Sequence, residues 1–91
     1  MQFEWDEAKA ASNLKKHGVP FVYATEAFFD SQRVDIEDAR HEYGEERRHT
    51  FGRSEGRVIA VAYTLRGETI RLIPARKANR KGVRNYDHHS L

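Results

Sequence analysis

Residues 47–76 have the sequence RRHTFGRSEGRVIAVAYTLRGETIRLIPAR. Apolar residues recur with a period of two in three stretches, and short breaks containing glycine separate these stretches at residues 54–56 and 66–67. A period of two is typical of β-strands, and glycine-containing breaks of this length are typical of hairpins. The segment therefore predicts an antiparallel meander. Its three strands are expected at residues 47–53, 58–64 and 69–76.

The second of these strands is apolar or small on both faces, which predicts a position at the centre of the sheet. One face carries Ile59, Val61 and Tyr63, and the other carries Val58, Ala60 and Ala62. We expect helices to cover one side of this sheet, so that the other side is available for function.

Two helices are predicted before the meander. Asp6 stands where a helix N-cap belongs, and residues 7–17 are mostly good helix formers, with Gly18 as the stop signal. Pro20 is suited to begin a second helix, whose aromatic residues are core candidates. Short strand patterns flank this helical region, near Phe3 and near Val34.

The remaining segments are polar. Residues 37–46 predict a mobile connecting loop, and residues 76–86 predict a weak basic helix in which Gly82 costs about 1 kcal/mol against alanine. The sequence thus predicts one α+β domain spanning residues 1–91. Two N-terminal helices pack on a mainly antiparallel sheet of four to five strands, and a short helix ends the chain.

Length and composition favour a small cytoplasmic protein. A chain of 91 residues is the size of one domain, and the absence of cysteine excludes disulfides and thiolate metal sites. No apolar run approaches the roughly 20 residues of a membrane span, and residues 1–6 are acidic where a signal peptide is basic. We expect no membrane association.

The charge is divided unevenly along the chain. Residues 1–46 hold 5 Lys/Arg against 11 Asp/Glu, a net charge of −6, whereas residues 47–91 hold 11 against 3, a net charge of +8. This asymmetry predicts a basic surface oriented toward nucleic acid. The alternative is that the two halves interleave in space and neutralise each other.

Arginines recur along the predicted strands at Arg53, Arg71 and Arg76. A guanidinium group stays charged and offers a rigid fork of donors for bidentate contact with phosphate. Regular alternation places Arg71 on the same face as Ile73 and Ala75. Ordinary surface ion pairs are the alternative for these arginines.

Other basic residues allow two interpretations as well. Lys16 and His17 complement the negative end of a helix, and Arg80 and Arg84 could form a solvated helix face. The histidines lack the spacing of zinc ligands, so we expect no metal and no cofactor. No phosphate-binding loop or nucleophile motif is present.

Metal-free cleavage of RNA remains compatible with these residues. In that reaction the 2′-hydroxyl of the substrate attacks its own phosphate, so the protein supplies cations and proton transfer. His17 could transfer the proton, because histidine exchanges protons near neutral pH. Tyr63 and Tyr86 could contact the bases.

Three motifs follow one another at characteristic spacings: Trp5-Asp6 near the start, Lys16-His17-Gly18 at the helix end, and Ala75-Arg76 at the strand end. With the residues between them, nearly the whole chain resembles the BrnT family of bacterial toxins. This resemblance implies a RelE-like ribonuclease of a type II toxin–antitoxin system that arrests growth. It also implies an antitoxin called BrnA, through which alone the complex binds operator DNA.

The resemblance assigns roles to five basic residues. Arg71 and Arg76 would clamp phosphate, Lys16 and Arg53 would stabilise transition-state charge, and His17 would act as general acid or base. We predict that four further residues contact RNA. These are Tyr63, Arg80, Arg84 and Tyr86.

The chain departs from the family pattern at Pro74, where a serine is usual, and at Gly82-Val83, where an acidic-basic pair is usual. Proline lacks an N–H group, so Pro74 predicts a sheet edge, a bulge or an early strand end, and each would re-aim Arg76. A non-catalytic module that binds nucleic acid or protein is therefore the alternative function.

Overall fold

The computed structural model describes residues 1–38 and 46–89, and His89 is described by its backbone alone. Most of the predicted loop at 37–46 lies outside the described residues, while Glu37 and Asp38 belong to a strand. The described part contains five strands and three helices. They are β1 Gln2–Glu4, α1 Glu7–His17, α2 Phe21–Ala27, β2 Val34–Asp38, β3 Arg47–Ser54, β4 Arg57–Arg66, β5 Thr69–Lys77 and α3 Arg80–His89.

The strands form one sheet in the order β1-β5-β4-β3-β2. The pairs within β2 to β5 are antiparallel, but β1 is parallel to β5, so the sheet is mixed. The α+β class, the five strands and the C-terminal helix are confirmed. The C-terminal helix begins later than expected because β5 continues to Lys77. The RelE-like architecture stays a prediction.

The main core lies between the sheet and the first two helices. Helix α1 packs along β5, and α2 packs across β3, β4 and β5. Ala24 of α2 and Val61 at the centre of the sheet are fully buried, and Phe28 meets the Tyr63 ring edge-on at 5.0 Å. The apolar stripe of α2 is therefore matched to one face of β4, as its spacing predicts.

The close contact between α2 and β3 depends on Gly52. A Cβ atom at this position would overlap the main-chain carbonyl of Ala27, which ends α2. No side chain fits there, so only glycine allows this helix to lie directly on the sheet.

Two polar side chains take the place of missing neighbour strands at the sheet edges. Asn13 of α1 donates to the Ala75 carbonyl at 2.8 Å and accepts from the Ala75 N–H at 3.0 Å, where β1 no longer covers β5. Asp30 accepts from the Arg53 N–H of β3 at 2.8 Å. These bonds satisfy backbone groups that an open edge would leave unpaired.

A β-bulge in β5 changes the predicted alternation of its side chains. Val61 pairs with Ala75 but Tyr63 pairs with Leu72, so two residues of β5, Ile73 and Pro74, lie opposite one residue of β4. Ala75 therefore joins Leu72 in the core instead of sharing a face with Arg71, and that part of the prediction is wrong. Of the three outcomes predicted for Pro74, the structure has two, the bulge and the sheet edge, since β1 pairs with β5 only at residues 69–71.

Helix α3 lies against the opposite face of the sheet and contacts β2, β3 and β4. Gly82 is buried in this contact, and a Cβ atom there would lie 3.0 Å from the Phe51 ring and 3.2 Å from the Ala78 Cβ. The glycine that weakens the isolated helix thus lets it approach the sheet closely.

Candidate functional site

The register of the strands places one group of basic side chains on the face opposite α1 and α2. On β5, Arg71 pairs with Thr64 and Arg76 pairs with Ala60, and positions 60 and 64 of β4 share a face. The bulge produces this arrangement, since regular alternation would put Arg71 and Arg76 on opposite faces. We call this surface the arginine face. It carries Arg47, His49, Arg53, Arg71 and Arg76.

Small side chains form the floor of the arginine face. Ala60, Ala62 and Thr64 of β4 are all buried, with basic side chains of β3 on one side of them and of β5 on the other. Strands lie about 4.8 Å apart, so the basic residues of β3 and β5 are separated by about 10 Å at the backbone. Long arginine side chains can reach a common ligand across this distance.

The two arginines of β5 differ in their surroundings. Arg71 lies 3.6 Å from Glu4 of β1, a partly exposed ion pair of the kind that contributes little stability. Arg76 is exposed and makes no ion pair within residues 1–38 and 46–88. A phosphate group could therefore bind Arg76 directly and could displace Glu4 from Arg71.

Arg53 is held in place by aromatic stacking at the edge of the same face. Its guanidinium lies 5.4 Å from the centre of the Tyr86 ring, and the Tyr86 hydroxyl donates to Asp30 at 2.6 Å. Burial by itself would raise the pKa of Asp30, but hydrogen bonds from Tyr86 and from the Arg53 and Gln32 N–H groups hold it below its usual value. Tyr86 is thus a buried support for Arg53 and α3.

Two residues of the arginine face were not predicted from the sequence, namely Arg47 and His49. His49 pairs with Ala62 in register, and its Nε2 lies 3.3 Å from Asp38 Oδ2, on a carboxylate that is only 7% exposed. In the tautomer that donates from Nε2 to an ionised Asp38, Nδ1 is the ring nitrogen that can accept a proton. Side chains alternate along a strand, and positions 47, 49 and 53 are an even number of residues apart. The predicted first strand of the meander therefore already placed Arg47 and His49 on the same face as Arg53.

Lys16 and His17 lie on the other side of the sheet. Both are exposed at the end of α1 and line a cavity next to Ile73 and Pro74 of the bulge. The structure therefore divides the five residues predicted to be catalytic. Arg53, Arg71 and Arg76 share the arginine face, whereas Lys16 and His17 do not.

Tyr63 is a core residue, with only 3% of its surface exposed. Its hydroxyl donates to Asp35 at 2.6 Å, and the same carboxylate lies 3.3 Å from Arg48 and 3.7 Å from Arg33. Burial, followed by the hydrogen bond to Asp35, raises the pKa of Tyr63. A base cannot stack on this ring, so we leave Tyr63 out of the proposed RNA surface.

Arg80 and Arg84 are exposed on α3, one turn apart, on the helix that crosses the arginine face. Within the described ranges, no three His, Asp or Glu side chains are grouped so that they could hold a metal ion. Also within these ranges, no helix is long and apolar enough to cross a membrane. The arrangement offers guanidinium groups for an anion and one imidazole for proton transfer.

Comparison with known proteins identifies the class of toxin. The family described as the ribonuclease toxin BrnT of type II toxin–antitoxin systems matches residues 5–82 of the 91 residues. The chain belongs to this family, as the sequence motifs predicted. No curated protein matches the chain. Since type II systems pair a toxin with a protein, a protein antitoxin is its partner.

Proposed function

We propose that the chain is a metal-independent endoribonuclease whose scissile phosphate binds on the arginine face. The observation that supports this most is the strand register, which gathers Arg71 and Arg76 of β5 and His49 of β3 around small residues of β4. Guanidinium groups placed where negative charge develops can stabilise a transition state.

The reaction begins with the ribose 2′-hydroxyl of the substrate. His49 Nδ1 accepts its proton while Asp38 holds Nε2, which lies 3.3 Å away. A bond forms between O2′ and phosphorus, and the bond from phosphorus to O5′ breaks. The leaving oxygen takes a proton from solvent. The products are a 2′,3′-cyclic phosphate and a 5′-hydroxyl end.

The arginines hold the phosphate during this step. Arg71 exchanges its contact with Glu4 for a phosphate oxygen, and Arg76 supplies a second guanidinium from the same strand. Arg53 adds positive charge from the edge of the face, where Tyr86 keeps it in place. Arg80 and Arg84 extend the basic surface along α3 and contact flanking nucleotides.

In the cell, RNA cleavage of this kind would arrest growth in the cytoplasm until an antitoxin resembling BrnA covers the toxin. The family supports a protein antitoxin in general. Co-expression with any small protein encoded by an adjacent reading frame tests the partner, because a true antitoxin co-purifies and restores growth.

The catalytic proposal is tested with purified protein and a labelled RNA in the presence of EDTA. We expect cleavage that the chelator does not stop, and a loss of at least about 100-fold in Arg71→Ala and Arg76→Ala, as for other groups that stabilise transition-state charge. Arg57→Ala is the matched control, because Arg57 is exposed on the same sheet but lies on the opposite face.

His49 and Asp38 are tested with the same assay. We expect His49→Gln to lower kcat by about 100-fold or more, and Asp38→Asn to lower it less, because only the orientation of the imidazole changes. Cleavage that stops in EDTA would overturn the metal-free mechanism. Intact RNA that is retained in a salt-sensitive manner would instead support the non-catalytic binding module.

A further inference from the structure

A second basic surface lies outside the arginine face, between α1 and the bulge of β5. It surrounds a cavity of about 230 Å³. The polar residues that line it come from α1 and include Lys9, Lys16 and His17 beside Ser12 and Asn13, and β5 contributes Ile73 and Pro74. The proposed chemistry does not use this cavity.

The basic residues of the cavity share one side of α1. Lys9 and Lys16 are seven residues apart, which is two turns of helix and about 10 Å along its axis. Lys15, which is equally exposed, points away and does not line the cavity. The helix dipole explains cations in the last turn of α1 but disfavours Lys9 in its first turn, so the dipole alone does not account for this stripe.

Lys9, Lys16 and His17 also lack acidic partners. Within residues 1–38 and 46–88, none of the three side chains forms an ion pair. All three are exposed. The charges of Lys9 and Lys16, and a ring N–H of His17, are therefore available to an anionic ligand that occupies the cavity.

The adjacent edge of β5 is closed to a further β-strand. Pro74 has no N–H group to donate, and both backbone groups of Ala75 already bond to Asn13. A protein partner could not extend the sheet here. An occupant would instead use the side-chain cations of α1, which favours a phosphate over a peptide strand.

The cavity and the arginine face lie on opposite sides of β5. Ile73 and Pro74 line the cavity, while Arg71 and Arg76 project from the same strand toward the opposite face. Strand β1 pairs with β5 only at residues 69–71, so beyond that point β5 has no strand neighbour on its outer side. Each arginine is two residues along β5 from a residue of the cavity, which is about 7 Å at the rise of a strand, so one RNA chain that crosses this edge can meet both surfaces.

We propose that Lys9, Lys16 and His17 form a second phosphate subsite, which holds a flanking nucleotide of the RNA cleaved on the arginine face. This inference rests on the proposed function. It assigns Lys16 and His17 to substrate binding at a distance from the bond that is cleaved. The subsite would be filled by a long RNA and would be out of reach of a dinucleotide.

The test compares kcat/KM for a 12-nucleotide RNA and for a dinucleotide. We expect Lys9→Gln/Lys16→Gln to reduce the advantage of the longer substrate by about tenfold, mostly through KM, and His17→Gln to act in the same direction. The dependence of log KM on log salt should weaken by about 0.7 for each phosphate that a variant no longer neutralises. Lys15→Gln, which removes the same charge outside the cavity, should keep the full advantage.

Three results would overturn the subsite. In the first, the wild-type chain cleaves both substrates and the double variant keeps the full kcat/KM advantage of the longer one. This result would refute the subsite and leave the proposed function supported. A wild-type chain that cleaves neither substrate removes both proposals. If the double variant releases a co-purified antitoxin while its KM for RNA is unchanged, the surface belongs to the protein partner.

Discussion

Replacement of Asn13 by leucine should destabilise the protein more than its position on a surface helix suggests. The side chain is buried, with 6% exposure, and its amide bonds to three backbone groups. It donates to the carbonyls of Val19 at 3.0 Å and Ala75 at 2.8 Å, and it accepts from the Ala75 N–H at 3.0 Å. Leucine has a similar volume but satisfies none of these groups.

The magnitude follows from the groups left without a partner. Each buried backbone group that loses its hydrogen bond costs about 1 to 3 kcal/mol, so three groups cost at least about 3 kcal/mol. A domain of this size is stable by about 5 to 14 kcal/mol. With an m-value of about 1 to 3 kcal/mol per molar urea, the unfolding midpoint should fall by about 1 to 3 M.

Urea unfolding followed by circular dichroism measures this loss, with Asn79→Ala as the control. Asn79 is exposed and makes one comparable bond, from the Gly82 N–H at 2.8 Å, so its loss should cost only about 1 kcal/mol. If Asn13→Leu costs no more than this control at an unchanged m-value, Asn13 does not act as a substitute for a strand neighbour.

Two further predictions concern packing and pH. Gly52→Ala should lower Tm by more than about 12 °C, since a Cβ at this position overlaps the Ala27 carbonyl and overpacking of this kind costs about 3 kcal/mol. A thermal melt measures this change. A Tm of the variant within about 3 °C of wild type would refute the contact. The pKa of Asp30 is lowered in the folded state, so its contribution to stability is present at neutral pH and is lost as the pH falls below the usual carboxyl range. Tyr86→Phe removes one of the hydrogen bonds that lower this pKa and should cost about 1 kcal/mol at pH 7. The cost should shrink as the pH falls through the lowered pKa of Asp30, so a cost that stays constant from pH 7 to the acid limit of the folded protein in urea titrations would show that Asp30 is not the partner.

The sequence predicted the helices and strands of this fold better than the side of the sheet on which their side chains lie. Helix α1 begins and ends where Asp6 and Gly18 indicated, because local capping chemistry determines both ends. The three strands of the meander extend by one or two residues beyond their predicted bounds. Pairing of β1 with β5 was not predicted, since a parallel contact between distant segments leaves no local pattern.

The site was harder to predict because it depends on the register of β5. Arg71 and Arg76, which were proposed together from the sequence, lie on one face of the sheet, but the sequence could not show that Pro74 lies both at a bulge and at an edge. Lys16 and His17 were grouped with them by motif, yet the side of the sheet on which α1 lies is a tertiary property. His49 was not predicted to lie on the arginine face, although strand alternation alone linked it to Arg53.

The extra residue at the bulge has a consequence beyond β5 itself. An extra residue in a strand reverses the face of every side chain after it, so the bulge moves Arg76 from the face that carries α1 and α2 to the face on which α3 packs. One inserted residue thus determines whether the Arg76 side chain lies on the side of the first two helices or on the side of the last one.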